Sequence, residues 1–267
     1  MSEPALIAVA VVWGAAAGLL LPRAAYRLAV EPDQSWRDSC PAGHPITGLA
    51  KGWLGLARCG ACTAGEAPGS TGAASAGVQS ASASGPSYGP RTPLISLVTA
   101  LLCAALALAT GSRPELGVWL LLAPLGVLLA VVDYKVQRLP DALTLPLAAA
   151  ALALLGVAAA VPEHAGDWLT ALFGALALGG AYFVLFLINP NGMGFGDVKL
   201  ALGLGAVLGW YGWSTVFLGT FAGFLLGALY GAGLVVARRA GRKTSIPFGP
   251  FLIAGAYVGL LIGAYAA

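Results

Sequence analysis

The sequence predicts an all-α fold, a polytopic membrane helical bundle of about eight transmembrane helices. Of the 267 residues, 58% are hydrophobic and 9% are charged, whereas soluble domains carry about 25% charged residues. Apolar runs of about 20 residues, the length needed to cross a bilayer, recur along the chain. The 38 glycines are typical of helices that pack closely in lipid. This composition excludes a water-soluble core as the basis of the fold.

Eight apolar runs predict the membrane spans. The first run has no basic residues before it, and Arg23 and Arg27 follow it, so we interpret it as a retained helix rather than a signal peptide. The sixth run is short and leads into the aromatic segment 210–213, which is typical of a membrane interface. The predicted spans are 4–22, 93–111, 115–132, 142–161, 167–188, 198–211, 213–237 and 247–266.

The spans divide the chain into three parts. Residues 1–30 hold the first transmembrane helix, residues 31–91 form a loop, and residues 92–267 form the remaining membrane domain. The second half of the loop is rich in Gly, Ala, Ser and Pro. Because such a segment cannot bury a core, it predicts a flexible linker.

The basic residues predict the orientation. With the N-terminus outside, every Lys and Arg other than Arg113 lies on the cytoplasmic side, which the positive-inside rule favours. The loop 31–91 is then cytoplasmic. The net charge is +3 and the basic residues sit in short loops, so the lipid bilayer is an expected partner and nucleic acid is not.

Three acidic residues lie at the cytoplasmic ends of predicted spans. Asp133 ends the third span, Asp197 opens the sixth, and Asp141 precedes the fourth, whereas Glu115 is expected in an outer loop. Two close carboxylates cannot both ionise readily and share a proton, as in aspartic proteases. Glycines on both sides of Asp197 would let water or an extended peptide come close. The spacing therefore indicates a catalytic dyad of Asp133 and Asp197.

Other interpretations of these acids are open at this point. Asp197 and Asp141 each precede an apolar run and so fit helix N-caps. A proton-coupled transporter would also place acids in a membrane protein. Transport sites lie near the bilayer midplane, however, and the centres of the predicted spans contain no acidic residue. Acids gathered at one surface favour chemistry on a cytoplasmic substrate.

Three segments resemble a known family. The segment "GFGDVKL" (194–200) resembles the GxGD signature of the type IV prepilin leader peptidases, which are intramembrane aspartyl proteases. The segments "DYKVQRLPDALTLP" (133–146) and "IPFGPFL" (246–252) are similar to the family's upstream aspartate element and to the start of its last helix. The resemblance covers about half of the chain.

The resemblance implies an activity and a set of site residues. The activity is cleavage of the leader peptides of type IV prepilins or pseudopilins, at the cytoplasmic face of the inner membrane, without a cofactor. The preserved aspartates argue against a non-catalytic relative that only scaffolds a pilus or secretion assembly. By position, the catalytic pair is Asp133 and Asp197. The supporting motif residues are Gly194, Gly196, Lys199, Pro140 and Asp141.

The N-terminal part resembles the bifunctional members of that family less closely. Those members also methylate the new N-terminus with S-adenosylmethionine. The segment "GLLLPRAAYRL" (18–28) is similar to their first-helix motif, but Leu19 and Pro22 stand where the family has Ser and Asn. Of their two CxxC pairs, one is present here, and Gly43 replaces the partner of Cys40. The methyltransferase activity is therefore left open.

The loop also holds a candidate metal site. Cys40, His44, Cys59 and Cys62 could form a Cys3His zinc site. Disulfides are not expected, because cytoplasmic thiols are kept reduced. The alternative is a vestigial loop with three free thiols.

Overall fold

The computed structural model describes residues 2–31, 34–64, 87–190, 192–238 and 246–267. These residues form helices joined by turns, which confirms the all-α prediction. Eight long helices correspond in order to the eight predicted spans, and two single turns lie in the loop after the first helix. The elements are α1 (Glu3–Leu28), α2 (Leu49–Gly52), α3 (Gly60–Thr63), α4 (Thr92–Thr110), α5 (Glu115–Val136), α6 (Asp141–Ala159), α7 (Trp168–Ile188), α8 (Phe195–Gly209), α9 (Trp213–Val236) and α10 (Gly249–Ala266).

Seven of the described helices are long and apolar enough to cross a membrane. The chain is therefore a multi-pass membrane protein. The eighth long helix, α8, has 15 residues, so it rises about 22 Å against a hydrocarbon core of about 30 Å. The expected sixth span is thus a helix, but it is shorter than its neighbours.

Glycines bring the backbones of three helix pairs into contact. A Cβ on Gly14 of α1 would lie 2.7 Å from the Thr99 carbonyl oxygen of α4. A Cβ on Gly174 of α7 would lie 2.5 Å from the carbonyl oxygen of Gly205 in α8. The pair α9 and α10 meets through further glycines in the same way. Because a side chain at these positions would separate the helices, small residues set the spacing of the bundle.

The loop after α1 is bound to the last turns of that helix. Arg27 donates a hydrogen bond to the Lys51 carbonyl at 2.9 Å, and its guanidinium lies 4.1 Å from the centre of the Trp53 ring. Tyr26 donates to the Ser39 carbonyl at 3.3 Å. These contacts give a structural reason for Tyr26 and Arg27 in the segment that resembles a family motif.

Two parts of the sequence prediction lie outside the described residues. Most of the expected linker falls in residues 65–86, of which no structure is described. The same holds for three of the basic residues behind the predicted orientation, Arg239, Arg242 and Lys243.

Glu115 is completely buried, so its expected place in an outer loop is wrong. It opens α5, where Arg113 approaches its carboxylate at 3.9 Å and Tyr211 donates to it at 3.3 Å. Arg113 also donates to the carbonyls of Thr110 at 2.7 Å and Ala264 at 2.6 Å. The guanidinium thus binds the C-terminal ends of α4 and α10, where carbonyl groups that have no hydrogen-bond donor within the helix favour a cation.

Replacing Arg113 should destabilise the bundle. In Arg113→Ala the buried Glu115 carboxylate loses its cation, and breaking a buried pair in this way lowers the free energy of unfolding by about 3 kcal/mol. Thermal unfolding in detergent measures the change, with Glu3→Ala, which alters an exposed carboxylate of α1, as the control. Equal melting temperatures for Arg113→Ala and the wild type would show that the pair does not stabilise the fold.

Candidate active site and metal centre

Asp133 lies buried in the last turn of α5, 4% exposed. The backbone N–H of Gly249, at the start of α10, donates to its Oδ2 atom at 3.0 Å. A Cβ on Gly249 would lie 2.8 Å from the same oxygen, so a larger residue would displace the carboxylate. Gly249 was not among the predicted site residues. It lies inside the "IPFGPFL" segment, but only the contact between α5 and α10 shows its role.

Asp197 lies in the first turn of α8, 7% exposed. The N-cap of this helix is Gly194, and no side chain caps it, so the N-cap interpretation of Asp197 is wrong. The carboxylates of Asp197 and Asp133 interact electrostatically, as does the phenol of the buried Tyr182 with Asp197. The bundle therefore brings together two acids that are 64 residues apart in the sequence.

The supporting motif residues hold this arrangement by close packing. A Cβ on Gly196 would lie 3.0 Å from the Cβ of Leu139, in the connection between α5 and α6. Gly196 thus lets the first turn of α8 rest against that connection. Leu139 belongs to an apolar cluster that joins α5, α7, α8 and α10 below the aspartates. The cluster holds the helix ends that carry the two acids in one place.

Asp141 and Lys199 link the N-termini of α6 and α8. Pro140 is the N-cap of α6, and Asp141 makes no capping hydrogen bond, so its N-cap interpretation is wrong. Instead the Asp141 carboxylate pairs with the Lys199 ammonium at 2.5 Å. Lys199 also lies 4.8 Å from the centre of the Phe195 ring. Because Asp141 is exposed, the pair contributes at most about 1 kcal/mol, and we infer that it orients the turn that carries Asp197.

The geometry suits acid–base chemistry. Two buried carboxyl groups that lie near each other ionise one at a time, so that one can accept a proton while the other donates one. Asp133 lies at the C-terminal end of α5 and Asp197 at the N-terminal end of α8, so the two acids come from different helices. Their catalytic role stays a prediction that this arrangement supports.

The four predicted metal ligands converge. The Sγ of Cys40 lies 3.6 Å from Nδ1 of His44 and 3.7 Å from Sγ of Cys62. His44 Nδ1 lies 3.2 Å from Cys62 Sγ and 3.7 Å from Cys59 Sγ. A tetrahedral zinc ion, with Zn–S of about 2.3 Å and Zn–N of about 2.0–2.1 Å, sets its ligand atoms about 3.6–3.8 Å apart. The donor set therefore fits zinc, with His44 in place of the cysteine missing at Gly43.

The pKa values of the Cys40 and Cys62 thiols are shifted in opposite directions. Burial raises the pKa of the Cys40 thiol, but hydrogen bonds from the backbone of His44 and Ala42 outweigh it and lower the pKa to about 6. Burial, together with the neighbouring thiols of Cys59 and Cys40, raises the pKa of Cys62 to about 12. Three thiolates repel one another at this distance, and a bound cation would remove that repulsion.

Comparisons with known proteins find relatives of this chain. Residues 120–232, which include Asp133 and Asp197, match the model of the Type IV leader peptidase family. The Prepilin leader peptidase/N-methyltransferase of Aeromonas salmonicida (strain A449) is 34% identical over 235 residues, 85% of this chain and 72% of that protein. Proteins of the same name from Pseudomonas aeruginosa and Bacillus subtilis (strain 168) are 35% and 33% identical. They match over 66% and 64% of this chain and 59% and 66% of their own lengths. No solved structure matches the chain.

The converging ligands predict bound zinc. Purified protein should contain about one zinc ion per chain, measured by elemental analysis. Cys59→Ala should lose the metal, because the three remaining ligands leave one position of the tetrahedral coordination shell empty. His44→Cys should keep the metal, because the new thiolate replaces the lost imidazole ligand. Cys103→Ala, which alters a buried thiol inside α4, is the control. Metal-free wild-type protein would show that the loop holds free thiols.

Proposed function

The chain belongs to the type IV leader peptidase family, and on that premise we propose that it cleaves leader peptides from type IV prepilins or pseudopilins, with Asp133 and Asp197 as the catalytic pair. The observation that carries the proposal is that α5 and α8 bring two buried carboxyl groups to one end of the bundle, near enough to interact electrostatically. The family match includes both of them.

The proposed reaction uses one water molecule and the shared proton. The ionised carboxylate accepts a proton from water while the water oxygen attacks the scissile carbonyl carbon. The protonated carboxyl group donates its proton to the carbonyl oxygen. When the carbon–nitrogen bond breaks, the leaving amine takes a proton from the first carboxyl group, and a hydroxyl group of the tetrahedral intermediate returns its proton to the second carboxylate, which restores the shared proton. The N–H of Gly249 donates to Asp133 and so fixes the orientation of that carboxyl group throughout.

We further propose that the N-terminus lies outside and the aspartates at the cytoplasmic face of the inner membrane. The positive-inside rule supports this orientation, because Arg23, Arg27, Lys135 and Lys199 all lie at the helix ends nearest the aspartates. Arg113, which does not follow this pattern, lies at the opposite end of the bundle. There it pairs with Glu115 and donates hydrogen bonds to helix carbonyls.

We assign the Cys40, His44, Cys59 and Cys62 cluster to structural zinc. Zinc there would join the two halves of the loop, which Tyr26 and Arg27 of α1 contact through hydrogen bonds. The proposed peptidase reaction does not use a metal. The printed names of the relatives also include N-methyltransferase. If this chain has that activity, it requires S-adenosylmethionine, and labelled methyl groups should appear on the processed N-terminus.

Asparagine at either catalytic aspartate should abolish cleavage. Asp133→Asn and Asp197→Asn each remove one proton acceptor while keeping the shape, so leader removal should fall by at least about 100-fold. A gel shift of co-expressed prepilin measures it, at equal amounts of membrane-extracted enzyme. Asp141→Asn, the same change at an exposed carboxylate, should keep most of the activity. Cleavage at the wild-type rate by Asp133→Asn would show that the assigned pair is wrong.

A methyl group at Gly249 should also impair cleavage. In Gly249→Ala the new Cβ would stand 2.8 Å from Asp133 Oδ2, and a displaced catalytic group lowers the rate by about 10- to 100-fold. Gly180→Ala in α7, where a Cβ meets nothing within 4 Å, should cleave normally. The same gel shift compares the two variants. Equal rates for both would mean that Asp133 does not depend on contact with α10.

A further inference from the structure

A buried tyrosine lies beside the dyad and has no part in the reaction proposed above. Tyr182, in the second half of α7, is 2% exposed. Its hydroxyl group makes no hydrogen bond with the part of the chain that the structure describes. Buried tyrosines usually pair this group, and a phenylalanine would fill the same space in the bundle without a polar atom to satisfy. The hydroxyl group of Tyr182 therefore calls for a function.

The ring of Tyr182 packs against the face of α8 that carries Asp197. Tyr182 and Ala201 line the same small cavity, and Ala201 lies one turn after Asp197 on the same side of α8. Tyr182 also belongs to the apolar cluster that contains Val198. The Asp197 carboxylate acts electrostatically on the phenol. The hydroxyl group thus lies on the Asp197 side of the dyad.

The same ring reaches the support of Asp133 through α10. Tyr182 stacks on Phe248 with ring centres 6.4 Å apart, and Phe224 of α9 completes an aromatic cluster at 5.9 Å from Tyr182 and 5.3 Å from Phe248. Phe248 is the N-cap residue of α10 and directly precedes Gly249, whose backbone N–H donates to Asp133. One aromatic cluster therefore packs against the supports of both carboxyl groups.

Resting on the proposed function, we propose that Tyr182 is a positioning residue for both carboxyl groups of the dyad. Its ring holds Phe248, and with it the Gly249 N–H that orients Asp133. Its hydroxyl group donates a hydrogen bond to the Asp197 carboxylate in the working site, because hydrogen bonds of catalytic groups tighten when substrate binds. A phenol has an ordinary pKa of about 10, so near pH 7 it stabilises a carboxylate without adding a charge.

The charged groups around Asp197 give the sign of this effect. Asp133 of α5 acts on Asp197 with a charge of the same sign, and Lys199 of α8 is paired with Asp141 of α6. From α9 and α10 the aromatic cluster presents uncharged rings. A neutral donor on Tyr182 favours the state in which one carboxyl group of the pair is ionised. Without that donor, the pair acquires its negative charge only at higher pH.

Removing the hydroxyl group alone tests its role. Tyr182→Phe keeps the ring, and Tyr230→Phe makes the same change in α9, where Tyr230 packs on Phe251 of α10 at 5.0 Å. In Tyr182→Phe, kcat for prepilin should fall about tenfold with KM unchanged. The acidic limb of its pH–rate profile should move up by about one pH unit. Tyr230→Phe should match the wild type in all three quantities.

Removing the ring tests the packing. Tyr182→Leu loses the stacking on Phe248 as well as the hydroxyl group, so its kcat should fall about tenfold or more below that of Tyr182→Phe. Phe248→Leu removes the other member of the stack and should lower kcat by a similar factor, which keeps the packing testable if Tyr182→Leu does not fold. Tyr230→Leu is the matched control. Thermal unfolding in detergent checks that each variant is folded.

Infrared spectroscopy of the purified protein gives a readout that needs no substrate. The carboxyl C=O band that disappears in Asp197→Asn should persist to higher pH in Tyr182→Phe than in the wild type. A change of packing alone would leave the titration of that band where it is.

Three outcomes would overturn the proposal for Tyr182. They are an unshifted pH–rate profile in Tyr182→Phe, an equal loss of kcat in Tyr230→Phe, and equal kcat for Tyr182→Leu and Tyr182→Phe. Failure of the wild type to cut prepilin, or cleavage at the wild-type rate by Asp197→Asn, would instead overturn the proposed function.

Discussion

Backbone contact at glycine is the interaction on which the bundle depends. Three helix pairs, α1 with α4, α7 with α8, and α9 with α10, approach so closely that a Cβ would meet a backbone atom of the partner helix. In lipid there is little hydrophobic gain from bringing helices together, so such packing supplies the association. These pairs fix where α8 and α10 begin, and the beginnings of those helices supply Asp197 and the Gly249 N–H. The geometry of the candidate active site thus depends on residues that have no side chain.

The bundle buries acidic groups at both ends and satisfies them differently. At one end Glu115 has a cation, Arg113, and a hydroxyl donor, Tyr211, so its charge is compensated. At the other end Asp133 accepts a hydrogen bond from a backbone N–H and interacts electrostatically with Asp197, a group of the same sign. Removing the cation from a compensated buried charge is costly, whereas two neighbouring buried carboxyl groups can share a proton. Stability and reactivity are therefore separated along the helix axes.

Sequence reasoning found the helices and the two aspartates, because long apolar runs and a glycine-flanked acid are local signals. It also named Cys40, His44, Cys59 and Cys62 as candidate metal ligands, and the structure brings their donor atoms within 4.8 Å of one another. It placed Glu115 in an outer loop, because a hydropathy pattern cannot distinguish an acidic residue in an exposed loop from a buried one that pairs with Arg113. Gly249 and the pairing of Asp141 with Lys199 were missed for a related reason, since each depends on two helices that meet only in three dimensions.

The shortness of α8 sets the depth of the aspartates. Its outer end is level with the start of α5, since Tyr211 and Glu115 are hydrogen-bonded there. From Gly209 back to Asp197 the helix rises about 18 Å, less than the roughly 30 Å of a typical hydrocarbon core. In a bilayer of that thickness with the start of α5 at one surface, the carboxyl groups would lie beneath the opposite surface, and a thicker membrane would separate them further from water. We therefore expect hydrophobic mismatch between α8 and its host bilayer to change the access of water to the two carboxyl groups, so that acyl-chain length affects the proposed reaction as well as folding.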